Sequence, residues 1–478
     1  MNYKTIFNII GKVLLLEAVL MLLPLGVSVI YSDGCTDDLL IGAAAAAALG
    51  AVMFLPTRKA GKPLSVRDSL AVAALTWLFA SLAGCLPFLT SGEISSFPDA
   101  FFETVSGFTT TGASILTDVE RMSRSLLFWR SFTHWLGGMG ILVLVTAIAA
   151  GSGDGSTNIL KAEMPGHSLD KFTPKAKNNA KLLYGIYIVL TLLETVLLLA
   201  GGMPVFDSIV HALGTAGTGG FGIKADSIAS YSAYLQWVIT VFMLLFGVSF
   251  NIYCLMLVRR WREALRSNEL RCYLGIFAAA TVIVCINIYP MYGSVSDVIR
   301  LSSFQTASII TTTGYATADF NTWPQLSKAV LFILMFCGGC MGSTAGGLKI
   351  SRVTVLAQVC ANEMRRSINP RSVNSVKLNG SVLTSEQEQG VLSYLALYIA
   401  VIAVTFILIS VNGLGFEEDI SAVVSCVNNI GPGFGLIGPA GSYAAYSGFA
   451  KIVLSIAMLI GRLEIYPLLA LMMIGSRR

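Results

Sequence analysis

Four short glycine-centred segments recur along this chain, and they constrain its architecture more than any other feature. They read FETVSGFTTTGAS around Gly112, VHALGTAGTGGFG around Gly219, FQTASIITTTGY around Gly314 and AVVSCVNNIGPGFG around Gly431. Counted back from Gly112 and from Gly314, Thr stands one, two, three and eight residues earlier, Ser six and Phe ten. The fourth segment keeps that serine as Ser425, and the second keeps Thr218 one residue before Gly219. Each segment follows a short amphipathic stretch and precedes a long apolar one. Fourfold repetition of one unit predicts four loops disposed around one axis.

Composition says where such a chain resides. It is 55% hydrophobic and 12% charged, with a mean hydropathy of +0.72, whereas soluble domains carry about a quarter charged residues. Apolar runs of roughly 20 residues are then bilayer spans, and the fold class is all-α integral membrane. The net charge of +5 makes no case for nucleic acid. The nine cysteines fall mostly inside apolar runs, without metal-ligand spacing, and read as small apolar fillers.

Hydropathy places two N-terminal spans at about residues 5–31 and 38–56. Four units follow, each a long helix, a half-length segment, the glycine loop and a second long helix. The first helices are expected at about 66–90, 180–202, 270–292 and 390–413, and the half-length segments at about 97–108, 204–214, 298–310 and 418–428. The second helices are expected at about 124–149, 232–258, 326–348 and 447–474, giving ten spans. The corresponding divisions are a two-helix domain at 1–60 and pore repeats at 61–155, 156–265, 266–380 and 381–478.

Lysine and arginine concentrate in the stretches joining these units, for example Arg58, Lys175, Arg260, Arg266, Arg365 and Arg366. The other side carries Asp33, Asp37, Asp38, Glu417, Glu418 and Asp419. The positive-inside rule puts the joining loops and both termini in the cytoplasm. The acids would then concentrate cations at the outer mouth.

A ring of backbone loops inside a membrane suits one task above others, the coordination of a dehydrated cation. Carbonyl oxygens replace the lost hydration shell. Glycine tolerates the backbone angles that turn successive carbonyls to one side. The C-terminal ends of the preceding half-helices carry partial negative charge and favour a cation. The expected ion-coordinating residues are Thr110, Thr111 and Gly112; Gly217, Thr218 and Gly219; Thr312, Thr313 and Gly314; and Asn429, Ile430 and Gly431.

With these segments, the stretches AEMPGHSLDKFTPKAKNNAKLLYGIY, GGCMGSTAGGLKISR, NNIGPGFG and GRLEIYPLLAL resemble the TrkH/KtrB superfamily of potassium transport subunits. The likeness runs over essentially the full length. The extra N-terminal helix pair resembles the TrkH type, the membrane pore subunit of the Trk system. The resemblance implies four helix–pore helix–helix repeats with pseudo-fourfold symmetry, usually in a homodimer, in the bacterial inner membrane. It implies potassium as the transported ion, with no organic cofactor in this chain. It also implies a TrkA-like cytoplasmic nucleotide-binding regulatory subunit, expected against the loops at about 151–178, 259–271 and 349–388.

Two intramembrane features gain a mechanism from this likeness. Gly338, Gly339, Gly342, Ser343, Thr344, Gly346 and Gly347 lie in a ten-residue run with hardly a helix former, so a helix should break there. In the family the matching stretch is a gating loop below the filter; a tight helix crossing is the plainer reading. Arg462 lies about half-way along a span, where a charge is costly and faces water or protein. In the family the matching arginine projects into the pore; a structural ion pair is the plainer reading. Glu464, two residues on, falls on a different helix face and is assigned a more distant role.

Other residues are weaker candidates. Glu103 either bonds backbone behind the filter or acts as a mouth charge. His134 reads as a packed, hydrogen-bonded histidine rather than a proton relay. No nucleotide loop, Ser/His/Asp arrangement or paired catalytic carboxylates is present, so the chain is read as a transporter and not an enzyme. A sodium-coupled or sodium-permeable carrier of the same fold stays open. A polytopic membrane enzyme or receptor would need ionisable residues clustered at one depth of the spans.

Overall fold

The computed structural model describes residues 2–58, 64–140, 176–372, 374–379 and 381–469. Helix dominates, and the one sheet among the described residues is a hairpin of Lys377–Leu378 and Ser381–Val382. At the N-terminus, Tyr3–Leu20 continues as Leu22–Tyr31 and packs against Thr36–Phe54. A Cβ on Gly11 would lie 2.8 Å from the Gly50 carbonyl oxygen. The two backbones therefore cross at the close range that small residues permit in membranes.

The four units follow in order. Their first helices are Val66–Gly84 with Leu86–Thr90, Ala176–Ala200, Asn268–Tyr292 and Ser385–Ile409. Capping boxes start the first and the last of these, Ser65 with Asp68 and Thr384 with Gln387. The half-length helices are Phe97–Phe108, Val205–Gly217, Val295–Ile310 and Phe416–Asn428. From Ala100 to Phe108 every side chain is buried, as is every one from Leu301 to Ile310. Short helices of this kind survive at membrane depth because protein surrounds them.

The second helices depart from the sequence expectation. Only the third was expected to break, and all the described ones do. Arg124–Gly138 ends at Met139 and Gly140, beyond which 141–149 lies outside the described residues. Ala233–Phe246 and Phe250–Leu257 meet at 88° across residues 247–249. Gln325–Met335 gives way to a loop before Ile350–Ile368. Gly448–Arg462 stops at Leu463, with left-handed backbone at Glu464 and Ile465. Among the described residues, six helices and this one bent pair are long and apolar enough to cross a membrane, and parts of the expected spans at 124–149 and 447–474 lie outside those residues.

Packing explains two of these breaks. A Cβ on Gly137 would overlap the Phe108 carbonyl oxygen, and one on Gly461 would overlap that of Val427. Phe108 and Val427 stand at equivalent places in the first and fourth short helices, four residues before Gly112 and Gly431. The second helices thus press on the ends of the short helices where the glycine loops begin.

Candidate ion pathway

The short helices end in one shared way. Thr110, Thr218, Thr312 and Asn429 adopt left-handed backbone, with φ of 56°, 53°, 55° and 55°. Two residues further on stand Gly112, Gly220, Gly314 and Gly431, with φ of 76°, 75°, 85° and 101°. The residue between them donates its amide to the carbonyl five residues back in every loop. These bonds are Thr111 to Ser106 at 2.9 Å, Gly219 to Gly214 at 2.9 Å, Thr313 to Ser308 at 2.8 Å and Ile430 to Ser425 at 2.9 Å.

This geometry corrects the register of the second loop. The counterpart of Gly112 is Gly220, not Gly219, and the three matching residues are Thr218, Gly219 and Gly220. Gly217 is the last residue of its short helix. The sequence GTAGTGG offers several glycines to count from, and Thr-x-Gly fits both Thr215–Gly217 and Thr218–Gly220, so backbone geometry decides between them.

The loops close into a ring. A Cβ on Gly112 would overlap the carbonyl oxygen of Gly219, one on Gly220 that of Thr313, and one on Gly314 that of Ile430. One on Gly431 would come within 2.6 Å of the Thr111 carbonyl oxygen. Each glycine therefore abuts the next loop in chain order, and the fourth returns to the first. Thr111, Gly219, Thr313 and Ile430 hold equivalent places around this ring.

Below the ring the four left-handed residues differ. The Thr110 hydroxyl and Asn429 Oδ1 have no hydrogen-bond partner among the described residues. Thr218 donates its hydroxyl to the Gly217 carbonyl at 2.6 Å. Asn429 Nδ2 donates to the Thr111 hydroxyl and to the Met458 carbonyl, each at 3.0 Å. The Thr312 hydroxyl accepts from the Gly346 amide at 2.7 Å.

That last bond brings in the non-helical run of the third unit. Cys340 N–H donates to the Gly247 carbonyl at 2.9 Å, and Phe250 N–H to that of Gly342 at 3.0 Å. Met341 N–H donates to Glu269 at 2.6 Å. The loop of Gly338, Gly339, Gly342, Ser343, Thr344, Gly346 and Gly347 is thus strapped to the bend of the second unit.

Arg462 ends the fourth unit's second helix against this loop. Its Nη1 donates to the Thr344 carbonyl at 2.7 Å, and its Nη2 to the carbonyls of Gly137 and Gly138 at 2.6 and 2.7 Å. The guanidinium joins three units. Glu464 does not pair with it but with Arg352, whose guanidinium lies 3.9 Å from the centre of the Tyr394 ring. Neither Arg352 nor Glu269 was singled out in the sequence, because their partners lie 112 and 72 residues away.

A cavity of about 100 Å³ touches Gly112, Gly220, Gly314 and Gly431 from one side of the ring. On the other side a cavity of about 40 Å³ is lined by Gly138, Gly342, Ser343, Lys349 and Arg462. The acids expected at the mouth do not line the first cavity, whose charged residues are Arg130 and Lys224. Asp33 instead accepts from the Ser28 hydroxyl and the Ser125 amide, at 2.6 and 2.8 Å, and Asp419 accepts from Tyr446.

Behind the first loop lies a buried polar cluster. Glu103 accepts from the Ile115 amide at 2.9 Å and pairs with Arg130 at 2.7 Å. It therefore bonds backbone, and the mouth-charge alternative falls. Breaking one side of a buried ion pair costs about 3–5 kcal/mol. Arg130→Met should accordingly lower the thermal denaturation midpoint in detergent by several degrees, and an unshifted midpoint would refute the pair's structural role. His134 is packed and bonded as expected, to the Gly107 carbonyl at 2.8 Å and the Phe221 amide at 3.3 Å.

The fold and this ring define a class: multi-pass helical membrane proteins in which four repeated units bring their loops around one axis. The chain is similar to solved and curated members of that class. The structure of the potassium transporter TrkH from Vibrio parahaemolyticus superposes with a TM-score of 0.90 at 31% identity, covering 100% of both chains. The Trk system potassium uptake protein TrkH of Escherichia coli K12 is 33% identical, with 98% of each chain covered. TrkG of the same strain is 32% identical over the same shares. The family model for TrkH, cation transport protein, matches residues 37–476. The chain belongs to the TrkH family of cation transport proteins.

Proposed function

We propose that this chain takes up potassium across the bacterial inner membrane through the ring of Thr110–Gly112, Thr218–Gly220, Thr312–Gly314 and Asn429–Gly431. Closure of the four loops on one another is the observation that carries this reading. The carbonyls of Thr111, Gly219, Thr313 and Ile430 would replace part of the hydration shell of the ion. The names of the relatives, potassium uptake proteins of Trk systems, support potassium as the ion. The run from Gly338 to Gly347, with Arg462, forms the gate. Its support is the bonding of both to one another beneath the ring. The four repeats divide at 61–155, 156–265, 266–380 and 381–478.

A separate TrkA-like regulatory subunit and a homodimer complete the reading. Exposed Arg365 and Arg366, in the last turn of the helix that follows the gate loop, and Arg371 just beyond it suit an acidic docking surface. The stretch 151–175 lies outside the described residues.

The test is uptake of radiolabelled rubidium into liposomes holding the purified chain, with potassium and then sodium as competitor. Competition by potassium alone is the expected result. Equal competition by sodium would favour the sodium-permeable alternative.

A further inference from the structure

Beside the candidate gate, away from the ring, lies a cavity of about 570 Å³, a size typical of small-ligand sites. Its deep wall is built of oxygen acceptors. Ser351 is 2% exposed, and its Oγ has no partner of hydrogen-bonding geometry although it stands beside Glu269. Asn251 Oδ1 is buried and also has no partner among the described residues. Glu269 is buried and accepts the Met341 amide at 2.6 Å, with the Ser351 amide also against it. Lys349, whose charge also acts on Glu269, is turned onto the Ala345 carbonyl. Buried acceptors of this kind call for a donor, and a buried carboxylate calls for a cation.

The rim of the cavity has the opposite character. It carries Arg260, which pairs with Glu263 at 2.5 Å, and Arg266, which has no carboxylate partner among the described residues. Both arginines belong to the connector LVRRWREALR, residues 257–266. There Leu257, Val258, Trp261 and Leu265 are exposed between the basic residues. Exposed apolar side chains and a tryptophan interleaved with arginines mark a segment lying in the headgroup layer of a bilayer.

We infer that this cavity binds a phosphorylated amine, with its ammonium group at Asn251, Ser351 and Glu269 and its phosphate at Arg266. The bilayer-facing connector at its rim selects the lipid form, a phosphatidylethanolamine headgroup, over a free phosphoethanolamine. Donor-rich ammonium and anionic phosphate match the acceptor wall and the basic rim in order. Met341, which lines the cavity and bonds Glu269, is part of the candidate gate loop. A headgroup seated there holds the loop against the second unit and lowers flux, a consequence that rests on the gate reading above.

Phosphatidylcholine is the discriminating probe, because its methylated nitrogen has no N–H to donate. Delipidated full-length protein in detergent is offered phosphatidylethanolamine, phosphatidylcholine or phosphatidylglycerol, and lipid retention is read by native mass spectrometry. The expected result is retention of phosphatidylethanolamine about tenfold above the other two, near the discrimination expected for losing one or two buried hydrogen bonds. Asn251→Leu with Ser351→Ala should abolish that preference in a chain that still melts cooperatively, since Asn251 Oδ1 bonds nothing among the described residues. Equal retention of all three lipids by the unaltered chain would overturn the site. Retention of phosphatidylglycerol to the same extent as phosphatidylethanolamine would overturn the ammonium assignment. Binding of free phosphoethanolamine without lipid preference would overturn the lipid source.

Rubidium uptake is then compared in vesicles of phosphatidylethanolamine and of phosphatidylcholine, each with the same fraction of phosphatidylglycerol. Flux severalfold lower with phosphatidylethanolamine, and equal in the double variant, is the expected outcome. Lipid preference without any flux difference would overturn the coupling to the loop while leaving the site in place. Arg462→Ala, assayed alongside, tells failure of that coupling from failure of the gate reading itself.

Discussion

Gly314→Ser should lower discrimination between potassium and sodium by about tenfold, equivalent to about 1.4 kcal/mol. Gly314 sits at φ 85°, where a side chain is strained. Its added Cβ would overlap the Ile430 carbonyl oxygen and stand 2.9 Å from Pro432 Cδ. Either the Ile430 carbonyl leaves its place in the ring or the third loop does. The remaining carbonyls then surround an ion of different effective size, and the distinction between two monovalent cations weakens. Gly112→Ser should act likewise, because its Cβ meets the Gly219 carbonyl oxygen. A control separates strain from ring chemistry. Gly92 has φ 74° with nothing within 4 Å of its Cβ position, so Gly92→Ala carries similar backbone strain away from the ring and should leave selectivity intact. The measurement is the ratio of potassium to sodium competition against rubidium uptake. An unchanged ratio in Gly314→Ser would remove the ring from the selectivity mechanism.

The parts of this fold that periodicity encodes were legible in the sequence. The short helix expected at 97–108 is Phe97–Phe108, and the first helices begin and end within a few residues of their expected places. The third unit's break was visible because eight of the ten residues from Gly338 to Gly347 are Gly, Ser, Thr or Ala. The fourth unit's break was not, because GRLEIY contains Arg, Leu and Glu, which favour helix. There the chain turns because Gly461 must pass the Val427 carbonyl and Glu464 must reach Arg352, both tertiary demands. The bend at Gly247 has the same origin. A Cβ there would lie 2.9 Å from a methyl group of Thr311, at the end of the third short helix. Among the candidate site residues, those in the Thr-Thr-Thr-Gly repeats fell into register. The second loop slipped by one residue, since its glycine-rich sequence leaves the choice to backbone geometry.

Arg462→Ala should raise basal rubidium flux by at least tenfold. The wild-type guanidinium donates to three carbonyls on elements from two other units. Bonds from a charged donor contribute about 1.5–3 kcal/mol each, so together they fix the Thr344 segment beneath the ring. Removing them loosens the Thr344 end of a loop that stays bonded to Thr312 through Gly346 and to the second unit's bend through Cys340 and Gly342. The same substitution removes a positive charge from the cavity below the ring, and with it the repulsion that a cation leaving the ring would meet. Arg462→Lys separates the two effects. Lysine keeps the charge but lacks the fork that reaches carbonyls on both sides. Flux close to wild type in Arg462→Lys assigns the block to charge, whereas flux close to Arg462→Ala assigns it to the bridge. A fall in flux for Arg462→Ala, at an unchanged thermal midpoint, would mean that the arginine supports the open pathway, and the gate assignment would be wrong.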